Sequence, residues 1–278
     1  MPMYHQEFEP PDELRDSIKC FWYNRRDFGD TPSSFEIIPD GYAEIIFHFG
    51  RGSKTPCSVS SKGISQILPS PCVMGLLDQP VHITSTGTME IMAVRCFPWT
   101  LFDLLGLPSG KDGAQIFEHP IAQLQEPLRA WVQASKIDEA LTLVTRYFLD
   151  ARAGVPADSL LSKAGSAMSK AKGTLPVRQV ADAAHATVRT LERQFKRSSG
   201  YSVKDVSGLM RFEQVRNELW LHPQTTLADL ALTLGYTDQS HLSREFKRYS
   251  GTTPAAFAKK AKSGQQILGG DFVAFVQA

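Results

Sequence analysis

Cysteine is scarce in this chain: Cys20, Cys57, Cys72 and Cys96 are the four among 278 residues, 37, 15 and 24 positions apart. No C-x-x-C pair exists, so the spacings of zinc ribbons, fingers and dithiol redox sites are missing. The thiols are expected to be reduced and packed, and no metal or other cofactor is expected. Long apolar runs are lacking as well. No stretch approaches the roughly 20 residues of a membrane span. The opening residues, MPMYHQEFEPPDEL, have no basic segment followed by an apolar one, so a secretory signal is not expected and a cytoplasmic location is. Net charge is almost absent, +1 overall, but the balance is unevenly distributed. Residues 1–154 hold 13 Lys/Arg against 19 Asp/Glu, a net of −6, whereas residues 155–278 hold 17 against 10, a net of +7. Only the second half is suited to a polyanion.

What is present divides the chain in the same place. Up to about residue 118 the pattern is β: EIIFHF at 44–49 and IMAVRCF at 91–97 are branched and aromatic, and turn-rich stretches such as GRGSKTPCS separate the runs. From Pro120 the period becomes helical, with Leu124, Leu128, Val132, Ile137, Leu141, Val144 and Phe148 on one stripe and a break at Ser135–Lys136. ARAGVPA at 151–157 has the composition of a linker. Asp158 is a candidate cap for a helix ending before Gly173, and the pattern stays helical to Lys262. The tail from residue 263 ends in an apolar, β-prone segment that is either a strand returning to the body or a frayed end.

The basic half contains a repeat. LERQFKRSSG at 191–200 recurs as LSREFKRYSG at 242–251, an offset of 51, while Ala181 and Thr187 match Ala231 and Thr237 at an offset of 50. The second copy therefore carries one extra residue before its second helix. Each copy reads as a short helix, a tight turn and a second helix: the helix-turn-helix layout, whose second helix enters a DNA major groove. Gly235 suits the turn, and His185 stands in its place in the first copy, a residue type tolerated at positive φ. Asp238 can cap the second helix of the later copy. Leu191, Phe195, Leu242, Phe246 and Trp220 are expected in the core. Between the copies Val206, Leu209, Phe212, Val215 and Leu219 form the stripe of a linker helix. About twenty helical residues span roughly 30 Å, close to the ~34 Å between successive major-groove faces.

These units, the R-F-E-Q-V-R-N-E-L linker, Gly235-Tyr236 and Gly251-Thr-Thr-Pro254 together resemble the DNA-binding domain of AraC/XylS transcription regulators, over about residues 158–260. The resemblance implies two recognition helices, at about 187–197 and 238–248, in adjacent major-groove segments. Carried over by position, the base-reading candidates are Arg189, Glu192 and Arg193 in the first unit and Gln239, Ser240, Ser243 and Arg244 in the second. Arg can grip guanine with two donors, Gln suits adenine, and Ser is permissive. Thr187, Lys196, Arg197, Lys247 and Arg248 are the phosphate-contact candidates.

The front half resembles the β-barrel sensors of this family, on Ile38-Pro39-Asp40-Gly41 before EIIFHFG, Phe97-Pro98 and Leu104-Leu105-Gly106. The expected fold is thus α+β in two domains. A cupin-like barrel with two following helices occupies 1–153, an all-α double helix-turn-helix domain occupies 158–262, and the tail is 263–278. Trp22, Glu44, His48 and Arg95 are the candidate effector contacts; Arg95 either grips a carboxylate ligand or pairs with an acidic neighbour. The resemblance further implies double-stranded DNA, a small-molecule effector and RNA polymerase as partners, with homodimerisation through the helices of 121–150 weighed against their packing on their own barrel. An enzyme is not expected, since FHFG offers one histidine where a metal-dependent cupin has H-x-H. The competing readings are a cupin-like enzyme and a DNA-repair alkyltransferase-type protein, each with an accessory DNA-binding module.

Overall fold

In the computed structural model, residues 4–51, 57–61, 63–111, 113–155, 159–264 and 275–276 are described. The N-terminal half contributes β1 (Tyr4–Phe8), β2 (Ile18–Asp27), β3 (Ser33–Ile37), β4 (Ala43–Arg51), β5 (Ser58–Ser61), β6 (Ile64–Ile67), β7 (Cys72–Met74), β8 (Val81–Ser85), β9 (Thr88–Cys96) and β10 (Ala114–Gln115). A last short strand, β11 (Phe275–Val276), comes from the tail and pairs with Ile37 and Glu36 of β3. The tail thus returns to the body at these two residues; 265–274 and 277–278 lie outside the described residues. One sheet runs β1-β2-β9-β4-β7-β10 and the other β11-β3-β8-β5-β6.

The two sheets pack face to face as the two walls of the expected barrel, with no strand pairing between them among the described residues. Trp22, Ile46 and Ile91 of the first meet Phe35, Val59 and Ile83 of the second in one buried cluster. The opposite face of the first sheet, with Phe21, Ile45, Phe47, Met92 and Val94, is covered by helices. Covering on both faces explains why β9 is buried without a break from Met89 to Val94 instead of alternating.

The covering helices are α1 (Thr100–Leu105), α2 (Gln125–Gln133) and α3 (Ile137–Ala153). Ser135, at φ 59, makes the break between the last two. Leu128, Val132, Val144 and Phe148 all face the barrel core. The stripe that the sequence favours for a second copy over the chain's own barrel is used within the chain.

The C-terminal half is helical: α4 (Leu160–Lys170), α5 (Val177–Ala183), α6 (Val188–Ser199), α7 (Val203–Leu221), α8 (Leu227–Thr233), α9 (Gln239–Ser250) and α10 (Pro254–Gly264). Asp158 lies outside the described residues, and the cap of α4 is Ser159, whose hydroxyl accepts from Ser162 N–H. The long helix α7 opens with a capping box in which Ser202 and Asp205 satisfy each other's backbone donors. Its stripe of Val206, Leu209, Phe212, Val215 and Leu219 is buried among both helix-turn-helix units.

The halves share a core. Ile38, Leu76 and Trp99 belong to the same buried cluster as Leu161, Phe195 and Met210. Hydrogen bonds cross alongside: Tyr201 Oη donates to Leu76 O at 3.1 Å, Ser109 N–H to Ser198 O at 2.9 Å, and Arg216 Nη1 to Pro39 O at 2.9 Å.

Candidate nucleic-acid interface

Each candidate reading helix is set by the same local chemistry. The turn before α6 uses His185 at φ 51 and the turn before α9 uses Gly235 at φ 68, so the two positions matched by sequence share one left-handed backbone. The caps differ by the extra residue. Thr187 Oγ1 accepts from Thr190 N–H at 3.2 Å, whereas Asp238 Oδ1 accepts from His241 N–H at 2.7 Å. Both helices end in a glycine at positive φ, Gly200 at 76 and Gly251 at 70. Leu191, Phe195, Leu242 and Phe246 are buried, as is Trp220. The anchoring residues hold each helix by one face and leave the other outward.

That outward face carries most of the named candidates. Arg189 and Arg193 on α6, and Gln239, Ser240 and Arg244 on α9, are exposed, with Ser243 half-buried beside them. Lys196 and Lys247 are exposed near the C-terminal ends. Glu192 does not join the set: it is half-buried and its Oε2 accepts from Val203 N–H at 3.3 Å, at the first turn of α7. A carboxylate there offsets the positive end of the helix dipole, so its place is structural. Thr187 likewise uses its hydroxyl as a cap. Two phosphate candidates have partners within the chain. Arg197 lies 5.1 Å over the Phe102 ring of α1, and Arg248 approaches Asp205 at 3.9 Å.

One ion pair was not legible as such. Arg211 of α7 meets Glu245 of α9 at 3.3 Å, donates to Gly173 O and lies over the Tyr236 ring at 5.3 Å. It ties the linker helix to the second reading helix from the inner side.

In the barrel, three of the four effector candidates converge. Cross-strand register places Glu44 opposite Arg95 and Ile46 opposite Ala93. Arg95 Nε donates to Glu44 Oε1 at 2.7 Å, its Nη2 lies 3.4 Å from Asp40 Oδ2, and Trp22 Nε1 donates to Glu44 Oε1 at 3.2 Å. Of the two alternatives for Arg95, pairing with acidic neighbours is the one seen. Burial pulls the Arg95 guanidinium toward losing its proton, but Glu44 and Asp40 together outweigh burial and hold its pKa above the ordinary range. Burial also raises the Glu44 pKa, against the pull of Arg95 and with the push of Asp40. These groups line a cavity of about 30 Å³ with Tyr42, Ile38, Leu68, Met74 and Ile91.

His48 is set apart. Its ring Nε2 is 3.0 Å from Leu68 O, and it does not line the cavity. Burial depresses its pKa below 6.5, more than the backbone contacts at Leu68 and Pro69 raise it. A depressed folded value means the neutral ring stabilises the fold above the unfolded pKa, and that contribution is lost as pH falls through the folded one. Lowering the pH from about 7.5 to about 5.5 should therefore shift the urea midpoint down more in the wild type than in His48→Gln. Equal shifts in the two proteins would show that His48 is not the group responsible.

Among the described residues, no helix is long and apolar enough to cross a membrane, and no group of three or more His, Cys, Asp or Glu is placed to hold a metal ion. The four cysteines are free and buried.

Comparisons with known proteins bear on both halves. Residues 180–260 match a family model described as a helix-turn-helix domain, and residues 6–112 match one described as a domain of unknown function, DUF6597. Among solved structures, ToxT from Vibrio cholerae O395 is similar at 11% identity over 86% of this chain and 97% of its own, with a TM-score of 0.46. The DNA-binding domain of AdpA in complex with a target DNA is 21% identical over 39% of this chain and 97% of its own, TM-score 0.36. A transcriptional regulator from Chromobacterium violaceum, described as AraC-type, is 21% identical over 37% of this chain and 91% of its own, TM-score 0.35. No curated protein matches the chain in sequence.

Proposed function

We propose that the chain, whose residues 180–260 match a helix-turn-helix domain, is a sequence-specific transcription regulator of the AraC type. The proposed DNA-binding unit is 158–262 and the proposed sensor is 1–153. The observation that carries this reading is the pair of equivalent helices, α6 and α9, each anchored by a buried Leu and Phe and each presenting an exposed Arg, Arg193 or Arg244, at the same repeat position. Bases would be read by Arg189, Arg193, Gln239, Ser240, Ser243 and Arg244. Lys196 and Lys247 would hold phosphates directly; Arg197 and Arg248 would do so after leaving Phe102 and Asp205. The protein works where DNA is accessible, in the cytoplasm, and needs no catalytic step. Glu44, Arg95 and Trp22 around their cavity support a role for an effector in the barrel, while His48 supports the wall.

Homodimerisation through α2 and α3 would have to use their outer faces, since the apolar stripe is taken by the barrel. RNA polymerase is the natural downstream partner of such a regulator when it activates.

The test is selection of bound duplexes from a random pool by the full-length protein, which should enrich a motif with two separate segments. With that motif, Arg244→Ala should cost about 1–3 kcal/mol and relax preference at one position. Lys247→Ala should weaken all sequences alike and flatten the salt dependence. Recovery of no motif at moderate salt would remove the reading of specific DNA.

A further inference from the structure

The cavity between the two sheets holds an uneven set of charges. Asp40 and Glu44 are two carboxyl groups around the single guanidinium of Arg95. Next along, on α7, Glu213 and Arg216 add one of each sign. With every member ionised the whole group sums to −1, and burial raises the pKa of both Glu44 and Glu213, as expected of carboxyls short of a positive partner. Asp40, Glu44 and Arg95 lie among Ile38, Ile46, Met74, Leu77, Ile83 and Ile91. Apolar walls make an uncompensated charge costly, so such a group gains from one more positive partner. An anion would do the reverse: beside Arg95 it would take the same group to −2.

The hydrogen bonds point the same way. Both bonds to Glu44, from Trp22 and from Arg95, end on Oε1. Among the described residues Oε2 accepts none, and Glu44 lines the cavity. The Nε and Nη2 of Arg95 are already directed at carboxylates. Two electron-rich rings, Trp22 and Tyr42, are in the same lining, and Arg95 itself lies 5.8 Å over Tyr42, a geometry that favours cations. The cavity of about 30 Å³ holds a water or a small polar head. Anything larger must lie along the aliphatic wall.

We propose that this cavity binds the cationic head of a small organic amine, received by Glu44 Oε2 and Asp40 between Trp22 and Tyr42. The proposal rests on the reading of the N-terminal half as a sensor and names the chemical class that it senses. The amine sits one loop away from the DNA-binding half. Asp40 and Tyr42 line the cavity, the intervening Gly41 packs against Met210 and Glu213 of α7, and Pro39 O accepts from Arg216. Occupancy thus presses on the helix that joins the two reading heads.

The experiment uses the full-length protein and probes matched in size and opposite in charge. Ethylammonium and butylammonium chlorides are compared with sodium propionate and butyrate at constant ionic strength, by thermal shift and titration calorimetry. A saturable response to the amines and none to the carboxylates is expected, and Glu44→Gln and Asp40→Asn should each weaken amine binding by about tenfold or more. Saturable binding of the carboxylates instead, or of neither series, overturns the proposal. The comparison of charge in the wild type decides the matter even if a variant fails to fold. Selection of DNA by the same preparation is read separately, so a missing amine response with an enriched DNA motif sinks only the ligand class, and no motif sinks the regulator.

Discussion

Phe246→Ala is expected to lower the stability of the protein by about 3–5 kcal/mol, the usual cost of emptying a buried phenylalanine site. Phe246 is fully enclosed, with its ring 5.1 Å from that of Phe212 on α7 and 5.4 Å from that of Phe257 on α10. Removing it takes away the post on which α9 turns toward the outside. Every group on α9 proposed to read bases depends on that post, so DNA binding should fall for all sequences by the same factor. Cooling the variant to a temperature where it is folded should restore its affinity, with the base preference unchanged throughout. Arg244→Ala behaves oppositely, losing preference while the melting temperature stays. Equal denaturant midpoints for Phe246→Ala and wild type would show that the second unit does not depend on this packing.

Gly165→Ala is the other large effect, and its direction is counter to helix propensity. Alanine in the middle of α4 should stabilise that helix by about 1 kcal/mol. A Cβ at this position, however, would stand 2.1 Å from two carbons of the Trp99 ring. The ring cannot easily yield, because it is buried and stacked on Phe97 with centroids 5.4 Å apart and planes at 6°. Overpacking should exceed the propensity gain and give a net loss of about 3 kcal/mol. Because Trp99 comes from the β half and Gly165 from the helical half, the loss falls on the joint. Calorimetry should show one unfolding transition in the wild type and two in the variant. A single transition at the wild-type temperature would mean that the two surfaces are not in contact in solution.

The repeat carried most of the C-terminal half into view. Leu191, Phe195, Leu242 and Phe246, with Gly235 and His185, specify two helices, their inner faces and the turns that aim them, because all of these are local patterns. Glu192 could not be read in this way. Its placement depends on where α7 begins, although Ser202-x-x-Asp205 is a capping box visible in the sequence. Arg95 was ambiguous for a similar reason: its neighbour Glu44 is set by the register of β4 on β9, and Asp40 comes from a loop. Glu213 and Arg216 look like ordinary surface charges of a helix until Asp40 and Pro39 are brought against them. Gly165, by contrast, carried a signal of its own, since a glycine inside a helix is disfavoured unless something approaches closely.

If α6 and α9 read DNA as proposed, the linker helix α7 has a consequence for operators. Its 19 residues are held along their length by both units, by Arg211–Glu245 and by the barrel loop. The reading heads are thereby kept at one separation and one relative rotation. Inserting one base pair between the two bound segments moves the second away by about 3.4 Å and turns it by about 34° around the duplex axis. A rigid protein can follow neither, so the spacing of a genuine site is as much a part of its specificity as the bases it contains.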